Sequence, residues 1–141
     1  MVFLDSDVII LREDFVDRLL ARTAHFDFLA AYGFDHPCKK RFHTPFNSGL
    51  MFIRTIPNVN YSKMVDVMWK LNNNNDQNMI SKFVQRQYVN WDTLSLRWHC
   101  RYLYKEGYDI PAKDCYTFHG RSKALNDFLQ KTNSTLLDTW D

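Results

Sequence analysis

Val2-Phe3-Leu4-Asp5-Ser6-Asp7 is the stretch whose reading decides the fold. A short apolar run stops at two carboxylates one residue apart. The run reads as a buried β-strand, and the acidic triplet as the turn at its carboxyl end. Burying an isolated carboxylate costs too much unless a counter-charge meets it. In an extended segment alternate side chains share a face, so Asp5 and Asp7 point the same way. A hard divalent cation takes oxygen ligands and satisfies both. Ligands of open α/β sheets bind just beyond the carboxyl ends of strands. The expectation is a divalent-metal site on Asp5 and Asp7 that serves a phosphate-bearing substrate.

Outward from this turn, Val8 to Leu11 continue apolar, and Arg12-Glu13-Asp14 start a helix with Asp14 as its N-cap. Phe15, Leu19 and Leu20 give that helix its inner face. Phe26 to Tyr32 read as a strand closed by Gly33, and residues 34–45 as a loop. Gly49 to Ile53 form a second strand, apolar enough for burial on both faces. Tyr61 to Leu71 read as a helix, Asn72 to Asn75 as a turn, and Asp76 as the opening of a helix to about Gln87. Trp91 to Tyr104 mix strand and loop. Asp114 to Phe118 read as a last strand, ending at His119-Gly120, and Ala124 to Gln130 as a terminal helix. Strands alternating with helices predict an α/β layered fold with no internal repeat.

Composition bounds the function. The 141 residues carry 45% apolar and 24% charged side chains, the balance of one globular domain. A net charge of +2 gives no broad basic field, which argues against a nucleic-acid partner. Lys39-Lys40-Arg41, the densest basic run, reads as a solvated loop. No run is long and apolar enough for a membrane segment. Aromatic residues reach 16%, and Trp91, Trp98 and Tyr102 fit either core packing or a sugar-stacking face. Cys38, Cys100 and Cys115 form no C-x-x-C pair, and their odd count argues mildly against a disulfide framework. Asn60-Tyr61-Ser62 and Asn133-Ser134-Thr135 are N-glycosylation sequons. The compartment stays open between cytoplasm and Golgi lumen.

Three further segments carry chemistry. His119 and Gly120 close a strand, and Arg121-Ser122-Lys123 lead into a helix. Glycine allows close backbone approach to a phosphate, Lys123 adds a point charge, and His119 offers a nitrogen ligand. Phe46-Asn47-Ser48-Gly49 place an amide and a hydroxyl at the mouth of the second strand. Asp76-Gln77 follow the asparagine tract, either as a helix cap or as reacting groups.

Taken in order, Phe3-Leu4-Asp5-Ser6-Asp7, Phe46-Asn47-Ser48-Gly49-Leu50-Met51, Asp76-Gln77-Asn78 and His119-Gly120-Arg121-Ser122-Lys123 resemble glycosyltransferase family 8. That is the glycogenin and lipopolysaccharide galactosyltransferase group, and the likeness spans residues 1 to about 131. The resemblance implies a GT-A fold, with a mixed central sheet flanked by helices. It implies transfer of a sugar from a nucleotide-diphosphate sugar, such as a UDP-sugar, to a glycan or protein acceptor, with retention at the anomeric carbon. Asp5, Asp7 and His119 would bind Mn²⁺ (or Mg²⁺). Gly120 and Lys123 would hold the departing phosphate. Asn47 and Ser48 would line the donor site, and Asp76 and Gln77 the reacting face. Retention would proceed through a sugar bound covalently to a carboxylate such as Asp76, or by front-face attack assisted by the leaving phosphate.

This sequence departs from the family pattern in three places. His119 and Gly120 are adjacent, where the family has two residues between them. Lys123-Ala124-Leu125 replaces Lys-Pro-Trp. The first nucleotide-binding half would precede the Asp-x-Asp, so residues 1–141 are expected to be the C-terminal portion of a single GT-A domain. Two rivals follow. One is a catalytically incomplete fragment acting as a metal-dependent nucleotide-sugar binding module. The other is a haloacid dehalogenase-like phosphatase, with Asp5 as nucleophile and Asp7 as general acid.

Overall fold

Strand β4 (Phe46–Ile53) organises the fold, because it is buried along nearly its whole length. In a computed structural model that describes residues 1–33, 46–57, 59–63, 66, 76–101 and 110–135, it sits inside a four-stranded sheet. The other members are β1 (Val2–Leu4), β3 (Phe28–Tyr32) and β5 (Trp91–Leu94), in the order β1-β4-β3-β5. β4 runs antiparallel to both neighbours, whereas β3 and β5 are parallel, so the sheet is mixed. Two shorter strands, β2 (Val8–Ile10) and β6 (Thr117–His119), pair antiparallel in a second sheet.

Side-chain alternation divides the large sheet into two faces. Leu29 and Ala31 of β3, with Leu50 and Phe52 of β4, meet Phe15 and Leu19 of helix α1 (Phe15–Arg22). Phe28 and Ala30, with Met51, face the other way onto Phe83 and Val84 of α2 (Asp76–Gln87). The result is a helix-sheet-helix sandwich. Helix α3 (Ser122–Lys131) covers the small sheet instead, setting Leu125 and Phe128 on Leu11 and Phe118.

Several expectations are corrected. Among the described residues β1 is an edge strand, paired only with β4, and Val2 and Phe3 are exposed rather than buried. Leu20 is exposed too, because it lies ~100° around the helix from Leu19. Asp14 stands at the N-cap of α1 but does not cap it with its side chain. Its carboxylate instead accepts from Arg12 and Arg18, each at 3.0 Å. The last strand starts at Thr117, since residues 112–114 form a 3₁₀ turn.

The cysteines also differ from expectation. Cys100 and Cys115 form a disulfide, although an odd count argued against one. Residues 97–100 lie beside 115–119, tied by hydrogen bonds from Tyr116 N–H to Arg97 O, Cys100 N–H to Thr117 O and His119 N–H to Cys100 O. That pairing brings the two sulfurs together whatever Cys38 does. Cys38, Lys39-Lys40-Arg41, the 34–45 loop, Tyr102 and the asparagine turn lie outside the described residues, as does most of the 61–71 helix.

Candidate metal centre and its polar surround

The acidic turn is anchored at three points. Asp5 N–H donates to Gly49 O at 3.0 Å, Val8 N–H closes the turn onto Asp5 O at 3.0 Å, and Gly120 N–H donates to Asp7 O at 3.0 Å. β6 lies antiparallel to β2 with His119 opposite Val8, so its last side chain lands beside the turn. The His119 Nε2 atom is 3.0 Å from Asp7 Oδ1 and 3.8 Å from Asp5 Oδ2. One ligand atom from each of the three residues lies within 4.8 Å of the others. Around a small divalent cation with ~2.1 Å bonds, octahedral ligands stand about 3.0 to 4.2 Å apart. The two His119 distances fall in that range, and the group of two carboxylates and one imidazole could hold such an ion.

A register irregularity in β4 shapes the wall of the site. Ala30 pairs with Met51, but the next residue, Ala31, pairs with Asn47. Ser48, Gly49 and Leu50 fall between these two pairings, and the strand bulges there. Asn47 Oδ1 accepts from Gly49 N–H at 2.9 Å and braces the bulge. A Cβ on Gly49 would come 2.8 Å from both Asn47 Oδ1 and the His119 ring. The glycine thus makes room for the histidine rather than for a ligand. Gly120, at φ +156°, passes close under Phe118, where a Cβ would stand 3.0 Å from the ring.

The polar groups continue inward from Asp5, Asp7 and His119. His119 Nδ1 is 2.8 Å from His99 Nε2, which is 3.2 Å from Asn47 Oδ1. Asn47 Nδ2 donates to Gln77 Oε1 at 2.6 Å. Asp76 accepts from Ser48 Oγ at 3.4 Å and from Gln77 N–H at 2.7 Å. The Asp76 carboxylate therefore braces the first turn of α2 and faces β4 at once. Arg101 reaches in beside these groups, with Nη2 2.8 Å from His119 Nδ1.

The structure thus brings Asp5, Asp7, His119, Asn47, Ser48, Asp76 and Gln77 into one connected set, with Gly120 joined through its backbone. Lys123 is exposed on the first turn of α3 and makes no hydrogen bond or ion pair among the described residues. Trp91 packs on the α2 side of the core, and Trp98 stacks on Tyr116 at 4.2 Å. A surface depression of about 510 Å³ is lined by Arg18, Ala21, Arg22, Ser95, Trp98 and Tyr116, none of which belongs to this set.

Electrostatics follow from burial. Loss of water pushes His99 down to about 2, helped by the nearby Arg101 and His119. Burial brings Arg101 down to about 10, against the pull of Asp5 and Asp7. His119 is lowered by burial and by Arg101, which outweigh Asp7 and Asp5. That direction favours the neutral ring, so the 3.0 Å contact with Asp7 is not a full ion pair. The Arg101 Nε is buried with no partner among the described residues, which is uncommon for a native polar atom.

His99, Arg101 and Thr117 are the residues that sequence reasoning missed. A lone histidine in an aromatic stretch gives no signal of its own. Only the pairing of 97–100 with 115–119 sets it against His119. No protein-family model matches the chain, and no curated protein or solved structure matches it either.

Proposed function

We propose that this chain carries a metal-dependent site for a nucleoside-diphosphate sugar. More specifically, its chemistry is that of a retaining glycosyltransferase resembling family 8 on a GT-A fold. The observation that supports the reading is the joining of four sequence-distant segments at the mouth of β1 and β4. Acidic, histidine, amide and acid-amide side chains meet there in one hydrogen-bonded set. Asp5, Asp7 and His119 would hold Mn²⁺ or Mg²⁺. When bound, the cation stabilises negative charge on the leaving diphosphate. Gly120 N–H is spent on Asp7 O, so the loop's part is to position Asp7. Lys123, free of partners among the described residues, supplies a cation for a phosphate oxygen. Asn47 and Ser48 hold Gln77 and Asp76 on the same side of β4, which fixes the polar face offered to the sugar. The Cys100–Cys115 disulfide favours an oxidising compartment such as the Golgi lumen.

The test is hydrolysis and transfer of UDP-sugars with and without Mn²⁺. Turnover is expected only with the metal. Asp7→Asn should lower it ~100-fold or more, since the metal contributes several kcal/mol. Metal-dependent UDP binding without turnover would leave a binding module. Unchanged turnover in Asp7→Asn would remove Asp7 from the site.

A further inference from the structure

We infer that His99 is a positioning residue that decides which nitrogen of His119 faces the two aspartates. The inference rests on the metal-centre reading above. The His99 ring is 2% exposed and lies against His119 with centroids 4.7 Å apart. Both of its nitrogens face polar atoms, so hydrogen bonding can be followed proton by proton. The Thr117 hydroxyl has one proton and donates it to Trp98 O at 2.7 Å. Thr117 Oγ1 then accepts from His99 Nδ1–H, which is 3.3 Å away. A neutral imidazole carries one N–H, so His99 Nε2 holds a lone pair. That lone pair accepts from His119 Nδ1–H at 2.8 Å. His119 Nε2 is left unprotonated, turned towards Asp5 and Asp7. This is the form a metal ligand requires, with its second nitrogen donating to a fixed acceptor.

The same heavy atoms permit one competing arrangement. Arg101 can only donate, and its Nη2 is 2.8 Å from His119 Nδ1. If His119 Nδ1 accepts there, Nε2 bears the proton and donates to Asp7. His99 Nε2–H then donates towards Asn47 Oδ1. In that arrangement Nε2 of His119 is blocked for a cation. The two arrangements differ by one proton moved across each ring, with no change in net charge. Arg101 and the Asp7 carboxylate, 3.0 Å from Nε2, favour the blocked form, and the Trp98–Thr117–His99 chain favours the open one. Metal binding selects the open form, and His99 supplies its acceptor.

The experiment measures Mn²⁺ affinity by paramagnetic resonance titration of the metal with the chain, in the absence of any nucleotide. His99→Phe fills the volume but removes the acceptor, and affinity should fall ~10- to 100-fold, the range for lost supporting partners of metal ligands. His99→Gln restores a carbonyl acceptor and should bind Mn²⁺ within about threefold of the parent, a rescue not expected from a purely space-filling role. Nitrogen chemical shifts of His119 in the unmodified chain give a second readout. They should report Nε2–H without metal and Nδ1–H with Mg²⁺ bound. Equal affinity in His99→Phe, or a His119 that keeps Nε2–H with Mg²⁺ bound, would overturn the inference alone. If the unmodified chain binds no Mn²⁺, the metal-centre reading fails and the inference falls with it. If His99→Phe does not fold, His99→Gln and the shifts of the unmodified chain decide.

Discussion

Two polar clusters border the large sheet, and they are satisfied in different ways. On the α2 side, Tyr88 donates to Arg54 O at 3.3 Å, Tyr61 donates to the Tyr88 hydroxyl at 3.1 Å, and Ile56 N–H donates to Tyr61 at 3.2 Å. One assignment of protons satisfies every group. Around His99 no single assignment does so among the described residues. His119 Nδ1 is claimed by a donor from Arg101 and by an acceptor on His99, while Arg101 Nε has no partner among the described residues. A satisfied buried network specifies a fold, whereas one in conflict costs stability unless something else completes it. The tyrosine cluster reads as structure, and the histidine cluster adjoins the candidate site.

The largest expected effect tests whether the two sides are independent. Phe28 is 1% exposed and packs on Phe46 and Tyr88 at 5.2 and 5.7 Å between centroids. Phe28→Ala should cost about 3–5 kcal/mol in urea unfolding. Mn²⁺ affinity of the folded fraction should stay within about twofold, because sites without shared partners behave additively. A parallel loss of metal binding would join the two clusters into one.

The disulfide should behave in the opposite way. Cys100 lies between His99 and Arg101, and its bond to Cys115 closes a separation of 15 residues. Replacing both cysteines by serine should cost about 3 kcal/mol through the freed chain. It should also weaken Mn²⁺ binding by up to ~10-fold, because the segment that orients His119 is no longer clamped. Urea titration and metal titration of the same double variant read both numbers. Lost stability with intact affinity would mean that hydrogen bonds alone hold His99 in place.

Much of this architecture is legible in the residue pattern. The abrupt change from Val2-Phe3-Leu4 to Asp5-Ser6-Asp7 marks a strand end, and the run to Ile53 marks the buried strand. Phe15 and Leu19, or Met79 and Phe83, mark helix faces by spacing alone. What the pattern hides depends on neighbours distant in sequence. Val2 and Phe3 look like core residues, and only the strand order makes β1 an edge. The β4 bulge needs the register of β3, so Asn47 and Ser48 read as a turn before the strand rather than a kink within it. His99 and the Cys100–Cys115 bond both depend on one parallel contact, Cys100 opposite Phe118, which no local signal announces.

The smallest expected effect is the sharpest test of the contrast. Tyr88 is 4% exposed, and burial, with the hydrogen bond to Tyr61, raises its phenol above the usual value of 10.0. The folded chain then holds the proton more tightly than the unfolded chain. Stability from this group is complete below pH 10 and is lost as pH rises through it, at about 1.4 kcal/mol per pH unit. Tyr88→Phe removes one neutral hydrogen bond and should cost about 1 kcal/mol at pH 8, since Tyr61 can donate to Arg54 O itself at 3.4 Å. The variant has no phenol to ionise at this position. The stability difference between parent and variant should therefore shrink from ~1 kcal/mol at pH 8 to near zero or below at pH 11. Taking the difference cancels the alkaline groups that do not touch Tyr88, which both chains share. A difference constant across that range would mean that Tyr88 ionises as freely in the folded chain as in the unfolded one. The tyrosine cluster would then be no better sealed than the histidine one, and the distinction between scaffold and site would have to rest on the metal measurements alone.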